Sequence, residues 1–366
     1  MRIIVKQENL SKALQNISRI ASSRTPLPIL NNILLRTEKN RLFIAATNLE
    51  IAMTEYIGAK VEKVGSITVP ARLITDFIQN LPAGNIDLEV KDKTLHISTD
   101  HYNSTINGLE VDEFPELPII KEKEAKHITF SPSDLKRVIS QSVVSSSSDT
   151  TRPMLTGVFF HTHNKKLYTV ATDGYRLSEC VVGENKDDIN AIIPAGSLQE
   201  ALRLITDDTE EITLLIDDNQ ARFRISEIEI TSKLIDATYV DYRQLIPKSS
   251  EIKVSISKSE FLRITKIANL FARESAGGIK ITADPDKNII SVNSIASQLG
   301  ENTSEASADI EGSGSVTLNA KYLIDILNVV ESEKVEFSFS GKLSPCLIKS
   351  SDKNNNFQSV IMPLKS

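Results

Sequence analysis

Apolar residues along this chain recur with two periods, and the two alternate in a fixed order. Leu10, Ala13, Leu14, Ile17 and Ile20 fall three and four apart, which places them on one face of a helix. Leu135, Val138 and Ile139 repeat the spacing, and so do Phe261, Ile264 and Ala268. Shorter stripes follow: Ile74, Phe77 and Ile78; Leu198, Ala201 and Leu202; Leu323, Ile326 and Leu327. Between the stripes lie runs of period two bounded by polar turns, such as Ile86-Asp87-Leu88-Glu89-Val90 and Ile212-Thr213-Leu214-Leu215-Ile216. Such runs predict short antiparallel strands, so the fold class is α+β.

The pattern is written three times. Val5-Lys6-Gln7-Glu8-Asn9-Leu10, Phe130-Ser131-Pro132-Ser133-Asp134-Leu135 and Ile256-Ser257-Lys258-Ser259-Glu260-Phe261 stand 125 and 126 positions apart. Each is a strand end running into a helix. Ser131 and Ser257 are placed as N-caps with Asp134 and Glu260 three residues on, and Pro132 suits the first helical position. A second anchor, Pro70-Ala71-Arg72-Leu73-Ile74, returns as Pro194-Ala195-Gly196-Ser197-Leu198 and Asn319-Ala320-Lys321-Tyr322-Leu323. Lys166-Leu167-Tyr168-Thr169-Val170-Ala171-Thr172-Asp173 echoes Arg41-Leu42-Phe43-Ile44-Ala45-Ala46-Thr47-Asn48, and Asp173-Gly174 predicts a hairpin turn there. Linker-like segments fall at Glu116-Leu117-Pro118 and Ile246-Pro247-Lys248-Ser249-Ser250. The expected architecture is three tandem copies of one domain, two helices packed on antiparallel sheets, over 1–121, 122–248 and 249–366. Short linkers favour a curved array.

Composition changes this picture in one respect. The chain is ordinary in its 40% hydrophobic and 25% charged residues, and its net charge of −6 argues against simple electrostatic coating of nucleic acid. Charge is unevenly placed, however. The first helix of each copy (residues 7–24, 131–142 and 257–274) brings nine basic against four acidic side chains, so the remainder is strongly acidic. Helices turned to a concave side would offer a positive surface to a polyanion, held by phosphate contacts without base readout. Cys180 and Cys346 sit in apolar runs and read as buried free thiols. No apolar run is long enough for a membrane helix, and Met1-Arg2-Ile3-Ile4-Val5-Lys6 reaches charge too soon for a secretion signal, so the cytoplasm is expected.

Catalytic chemistry finds no foothold. His161-Thr162-His163 could offer two metal ligands, but without a completing Cys or carboxylate cluster it reads as a surface turn. The chain carries no Gly-x-Ser-x-Gly, His-Glu-x-x-His or phosphate-cradling glycine loop, and the expectation is a non-enzyme without cofactor or metal.

Several segments together resemble the bacterial sliding clamp family, the beta subunit of DNA polymerase III. They are Thr25-Pro26-Leu27-Pro28-Ile29-Leu30, Thr47-Asn48-Leu49-Glu50-Ile51, Val69-Pro70-Ala71-Arg72, Ala171-Thr172-Asp173-Gly174-Tyr175-Arg176-Leu177, Asp241-Tyr242-Arg243-Gln244-Leu245-Ile246-Pro247 and Ile361-Met362-Pro363-Leu364. The resemblance implies the DNA clamp fold, a head-to-tail homodimeric ring whose helices line the hole around double-stranded DNA. It implies a processivity factor that tethers the replicative polymerase catalytic subunit, the clamp loader and other proteins carrying a clamp-binding motif. Their expected peptide pocket comprises Arg152, Leu155, Thr172, Gly174, Tyr175, Arg176, Leu177, Val240, Leu245, Tyr322, Leu343, Val360, Met362 and Pro363. Val240, Gln244 and Pro153-Met154 depart from the usual family residues. Arg24 and Arg72 match DNA-contacting positions, and the charge pattern adds Lys12, Arg19, Arg137, Arg203, Lys258, Arg263, Lys266 and Lys321. Ile106, Leu270 and Phe271 match dimer-interface positions. The competing expectation is a repeat scaffold that binds only proteins.

Overall fold

The computed structural model describes residues 1–21, 27–272, 276–296, 300–352 and 356–364. Arg24, with Thr25 and Pro26, lies outside the described residues.

All three copies share one element order, β-α-β-β-β-β-α-β-β-β. The first comprises β1 (Arg2–Lys6), α1 (Gln7–Ala21), β2 (Asn32–Glu38), β3 (Arg41–Thr47), β4 (Ile51–Lys63), β5 (Ser66–Pro70), α2 (Ala71–Gln79), β6 (Asn85–Lys91), β7 (Thr94–Ser98) and β8 (Asn103–Asn107). The second runs β9 (Lys126–Phe130), α3 (Pro132–Val143), β10 (Gly157–His163), β11 (Lys166–Thr172), β12 (Arg176–Glu184), β13 (Asn190–Pro194), α4 (Ala195–Leu204), β14 (Ile212–Ile216), β15 (Gln220–Ile225) and β16 (Ile228–Lys233). The third runs β17 (Ile252–Ser257), α5 (Lys258–Phe271), β18 (Gly278–Asp284), β19 (Ile289–Ala296), β20 (Gly300–Glu311), β21 (Gly314–Asn319), α6 (Ala320–Val329), β22 (Lys334–Phe339), β23 (Cys346–Ser350) and β24 (Phe357–Ile361).

Spatially the chain forms two compact units that cut across the copies: Met1–Pro132 with Glu200–Leu234, and Ser133–Gln199 with Ile235–Ser366. Within the first unit, β4 pairs with β3 and β1 and also, through Ile51–Glu55, with β16 of the second copy. Within the second unit, β12 pairs with β11 and with β24 of the third copy. The sheet thus continues from one copy into the next, and in the second unit apolar packing of Val170, Leu177 and Tyr242 on Leu347 and Val360 reinforces the joint. The second copy therefore divides its strands between the units, an arrangement that the repeat spacing does not reveal.

The helical stripes predicted from spacing are the buried faces. Leu10, Ala13, Leu14 and Ile17 of α1 are fully buried, as are Leu323, Ile326 and Leu327 of α6. Burying a side chain of this size stabilises the fold by about 1.5–3 kcal/mol. In the second unit α5 and α6 rest on a core that includes Phe261, Phe337 and Phe339, with ring centroids 5.5 and 5.3 Å apart in succession. Asn319 caps α6 by accepting from the backbone N–H groups of Lys321 (2.9 Å) and Tyr322 (3.4 Å). The cap expected at Ser257 is absent. Its hydroxyl lies 3.0 Å from that of Ser259, while Glu260 pairs with Arg263. Cys180 and Cys346 are buried free thiols, and burial pushes their pKa values up to about 11 and about 12.

Candidate functional site

The turn between β11 and β12 is built by its own side chains. Thr172 Oγ1 accepts from Gly174 N (3.1 Å) and donates to the Arg176 carbonyl (2.6 Å), while Asp173 Oδ1 accepts from the amides of Tyr175 and Arg176 at 2.9 Å. Gly174 sits at φ +92°, where a Cβ is strained. The turn pushes Tyr175 outward to 59% exposure and leads β12 back so that Leu177 pairs with Val360 of β24. Beyond the last strand, Met362 N donates to the Tyr175 carbonyl at 2.8 Å, which seats Met362 against the turn. Leu177 and Val360 join Val170, Leu347 and Tyr242 in one apolar floor.

The opposite wall is the loop after β16. Val240 and Leu245 are both exposed on it, and Tyr242 between them is buried. Tyr242 Oη donates to Glu179 Oε2 at 2.5 Å. With its one proton placed there, the same oxygen accepts from His161 Nε2–H at 2.8 Å and from Arg243 Nε at 3.3 Å. Gln358 Nε2 donates to the other Glu179 oxygen at 2.6 Å. Glu179 lies two residues beyond Leu177, and Gln358 two before Val360, so this network occupies the same sheet face as the floor. It ties together the three segments that supply Leu177, Val360 and the Val240–Leu245 wall. Burial raises the Tyr242 pKa, reinforced by the Glu179 hydrogen bond; burial, aided by the charges of Arg243 and His163, lowers that of His161 to about 4. His161 is thus a buried strand residue stacked on Phe159 at 4.7 Å, and the surface-turn reading of His161–His163 does not hold.

Arg176 also departs from expectation. Its Nε donates to Asp173 (3.1 Å), its Nη1 to Asp325 (2.8 Å), and its guanidinium lies 4.6 Å from the centre of the Tyr322 ring. At 10% exposure this arginine fastens the turn to α6 and brings Tyr322 to the cleft; it is not an open donor for a ligand. Arg152 remains exposed, 3.5 Å from Asp149, with Nη1 facing Gly174. Leu155 is buried on the short 3₁₀ turn Pro153–Thr156. Pro363 follows Met362, whereas Leu343 stands 66% exposed on the β22–β23 turn with no described contact to the cleft. Sequence reasoning missed Asp325, Leu347 and the Glu179–Gln358 pair. A glutamate inside the apolar run Leu177–Val182 was the one available signal. A second groove of about 680 Å³ in this unit, lined by Pro247–Ser250, shares Leu347 with the cleft floor. Its lysines are balanced by acids, as in Lys253–Glu311 at 3.0 Å.

The expected DNA contacts divide. Lys12, Lys266 and Lys321 are exposed, and the Arg72 side chain is 93% exposed with Asp76 at 3.9 Å. Arg19 and Arg203 share Glu200, and Arg263 pairs with Glu260; such surface pairs are worth at most about 1 kcal/mol and exchange readily for a phosphate. Arg137 and Lys258 are turned inward. Arg137 bonds Asp134 (3.2 Å) and the Cys180 sulfur (3.3 Å), and Lys258 donates to the Val330 carbonyl (2.9 Å), so neither presents a free cation. Of the interface residues, Leu270 is 59% exposed and Phe271 half-buried, while Ile106 is packed inside against the β7 strand. Among the described residues no group of His, Cys, Asp and Glu could hold a metal, and no helix is long and apolar enough to cross a membrane.

Six helices and large antiparallel sheets in three like domains define a three-domain clamp. The family profiles of the DNA polymerase III beta subunit match it domain by domain: N-terminal over residues 1–118, central over 129–241 and C-terminal over 243–365. The chain is 30% identical to the beta sliding clamps of Bacillus subtilis and Staphylococcus aureus, with both partners covered in full. It superposes on the solved Bacillus subtilis DNA polymerase sliding clamp with a TM-score of 0.95 at 28% identity, covering 100% of this chain and 99% of that one. The Pseudomonas aeruginosa beta subunit gives 0.93 at 25% identity, covering 100% of both. The chain belongs to the DNA polymerase III beta subunit family.

Proposed function

We propose that this chain is the non-catalytic processivity factor of a replicative DNA polymerase, working in the cytoplasm as a closed head-to-tail homodimer around double-stranded DNA. Its domains would run 1–121, 122–248 and 249–366. One observation carries the ring: the repeat leaves two complementary strand edges unused. β4 receives β16 and β12 receives β24, whereas among the described residues β8, the corresponding last strand of the first copy, pairs only with β7 at the sheet edge. β20, the counterpart of β4 and β12, pairs with β19 and β17 and receives no such third strand. A β8 edge laid on the β20 edge of a second chain repeats the internal joint, with exposed Leu270 beside it. Two such head-to-tail contacts close a ring. Arg72, Lys12, Arg19, Arg203, Arg263, Lys266 and Lys321 then serve the phosphates, and the Leu177–Val360–Met362 cleft takes the Leu or Phe of a partner peptide.

Loading onto nicked circular plasmid tests this reading. Retention through gel filtration, loss after linearisation and a dimer in light scattering at micromolar concentration are expected. A stable monomer, or equal release from circular and linear DNA, would overturn it in favour of a protein-only scaffold.

A further inference from the structure

The frame of the cleft is built a second time in the first unit. Thr47 Oγ1 accepts from Leu49 N (3.1 Å) and donates to the Ile51 carbonyl (3.0 Å), and Asn48 Oδ1 accepts from the amides of Glu50 (3.0 Å) and Ile51 (2.8 Å). Leu49 takes φ +74°, the counterpart of Gly174. Ala52 pairs with Thr231 as Leu177 pairs with Val360, and Lys233 N donates to the Glu50 carbonyl at 2.9 Å as Met362 N does to Tyr175. This frame encloses a hollow of about 280 Å³ lined by Leu49, Ile51, Ala52, Pro118 and Thr231, with Glu50, Glu116 and Lys233 at its mouth. Ala52 and Thr231, smaller than their counterparts, deepen it. Through Ala52, Glu116, Pro118 and Thr231 it opens into a groove of about 670 Å³ over Leu34, Phe43 and Phe114, with Ile119 80% exposed at the edge.

We infer that this paired hollow and groove is a second docking site, for an extended segment of a partner protein that carries a Leu, Ile or Phe anchor beside Lys or Arg. The anchor follows from the apolar lining and the exposed Leu49 and Ile119. The cation follows from charge. Arg36 is committed to Glu38, and Arg222 to Glu229 (3.0 Å), Thr231 (2.8 Å) and the Pro118 carbonyl (2.8 Å); Lys233 at the mouth is offset by Glu50 at 3.9 Å, which leaves Asp112 and Glu116 exposed along the edge as the net charge. The mouth of the other cleft carries Arg152 instead, so the two sites select different segments.

The probe is a fluorescein-labelled hexapeptide with adjacent Leu and Phe flanked by lysines, titrated by anisotropy against a Leu177→Ala/Met362→Ala chain in which the first cleft is disabled. Saturable binding, one peptide per chain, is expected. Asp112→Lys/Glu116→Lys should weaken it at least about tenfold, and Ala52→Trp, which fills the hollow, should abolish it with an unchanged circular dichroism spectrum. No saturation by about 1 mM, equal affinity for the peptide with glutamates in place of lysines, or indifference to both variants would overturn the site. Each of these outcomes is independent of whether the Leu177–Met362 cleft binds anything.

Discussion

The two turn-and-strand frames share their backbone hydrogen bonds but rest on different chemistry. Behind the Leu177 cleft lies a hydrogen-bonded chain, His161–Tyr242–Glu179–Gln358, joined at Tyr242 by Arg243. Beneath the Ala52 hollow lie ion pairs, Arg222–Glu229 and Arg224–Glu229, the second arginine reaching also to Glu122. Leu347, a floor residue of the first, is replaced in register by Arg222. A Thr followed by Asn or Asp suffices to set the frame, so duplication preserves it cheaply. Binding character depends on four or five side chains pointing off that frame, and those are free to diverge.

The largest test converts one floor into the other. Leu177→Ala/Val360→Thr/Met362→Lys gives this cleft the residues Ala52, Thr231 and Lys233 supply to the hollow. Affinity for a Leu- or Phe-anchored partner peptide, read by anisotropy, should fall by about a hundredfold or more.

Acid offers the next contrast. The His161 pKa is depressed in the folded state, so protonation favours the unfolded chain. The contribution of neutral His161 is full above pH about 6.5 and is lost as pH falls toward 4, by about 3 kcal/mol. Urea midpoints across that window should show the loss, and His161→Gln should flatten it. An unchanged slope in the variant would place the acid sensitivity elsewhere.

Tyr242→Phe is a smaller perturbation. It removes the hydroxyl that donates to the buried Glu179 and accepts from His161, and should cost about 1–3 kcal/mol of unfolding free energy. The partner peptide should bind several-fold more weakly because Val240 and Leu245 lose their anchor. Gln358→Leu should reproduce the stability loss with less effect on that wall.

The smallest effect concerns the turns themselves. Leu49 occupies a left-handed conformation that costs a β-carbon about 1 kcal/mol, so Leu49→Gly should be neutral to slightly stabilising, whereas Gly174→Ala should lose about that amount. Thermal midpoints of the two variants shifting in the same direction would break the equivalence of the frames.

Much of this was legible in the sequence because it is local or periodic. Helical stripes such as Leu10–Ile20 and the Asp173-Gly174 hairpin depend on neighbours a few residues away, and the copies betray themselves by spacing. What stayed hidden depends on distant partners. Arg176 meets Asp325 across 149 positions, Arg137 meets Cys180 across 43, and His161 meets Tyr242 across 81. A sequence shows that these are charged or polar; only the fold shows that they are already engaged. The division of the second copy between two sheets was likewise invisible, since strand pairing across copies leaves no trace in periodicity.

Beyond its pairing with β17, the long strand β20 carries Glu301 and Glu305, while β8 (Asn103–Asn107) carries no charge at all. Laid against another β20, that strand would set carboxylates opposite carboxylates, a pairing that repulsion disfavours. Laid against β8 it meets only amides, hydroxyls and one isoleucine. An open strand edge is ordinarily an invitation to fibre growth or to mismatched stacking. In the proposed ring, the acidic edge would therefore favour β8 over a second β20 before any contact area is buried.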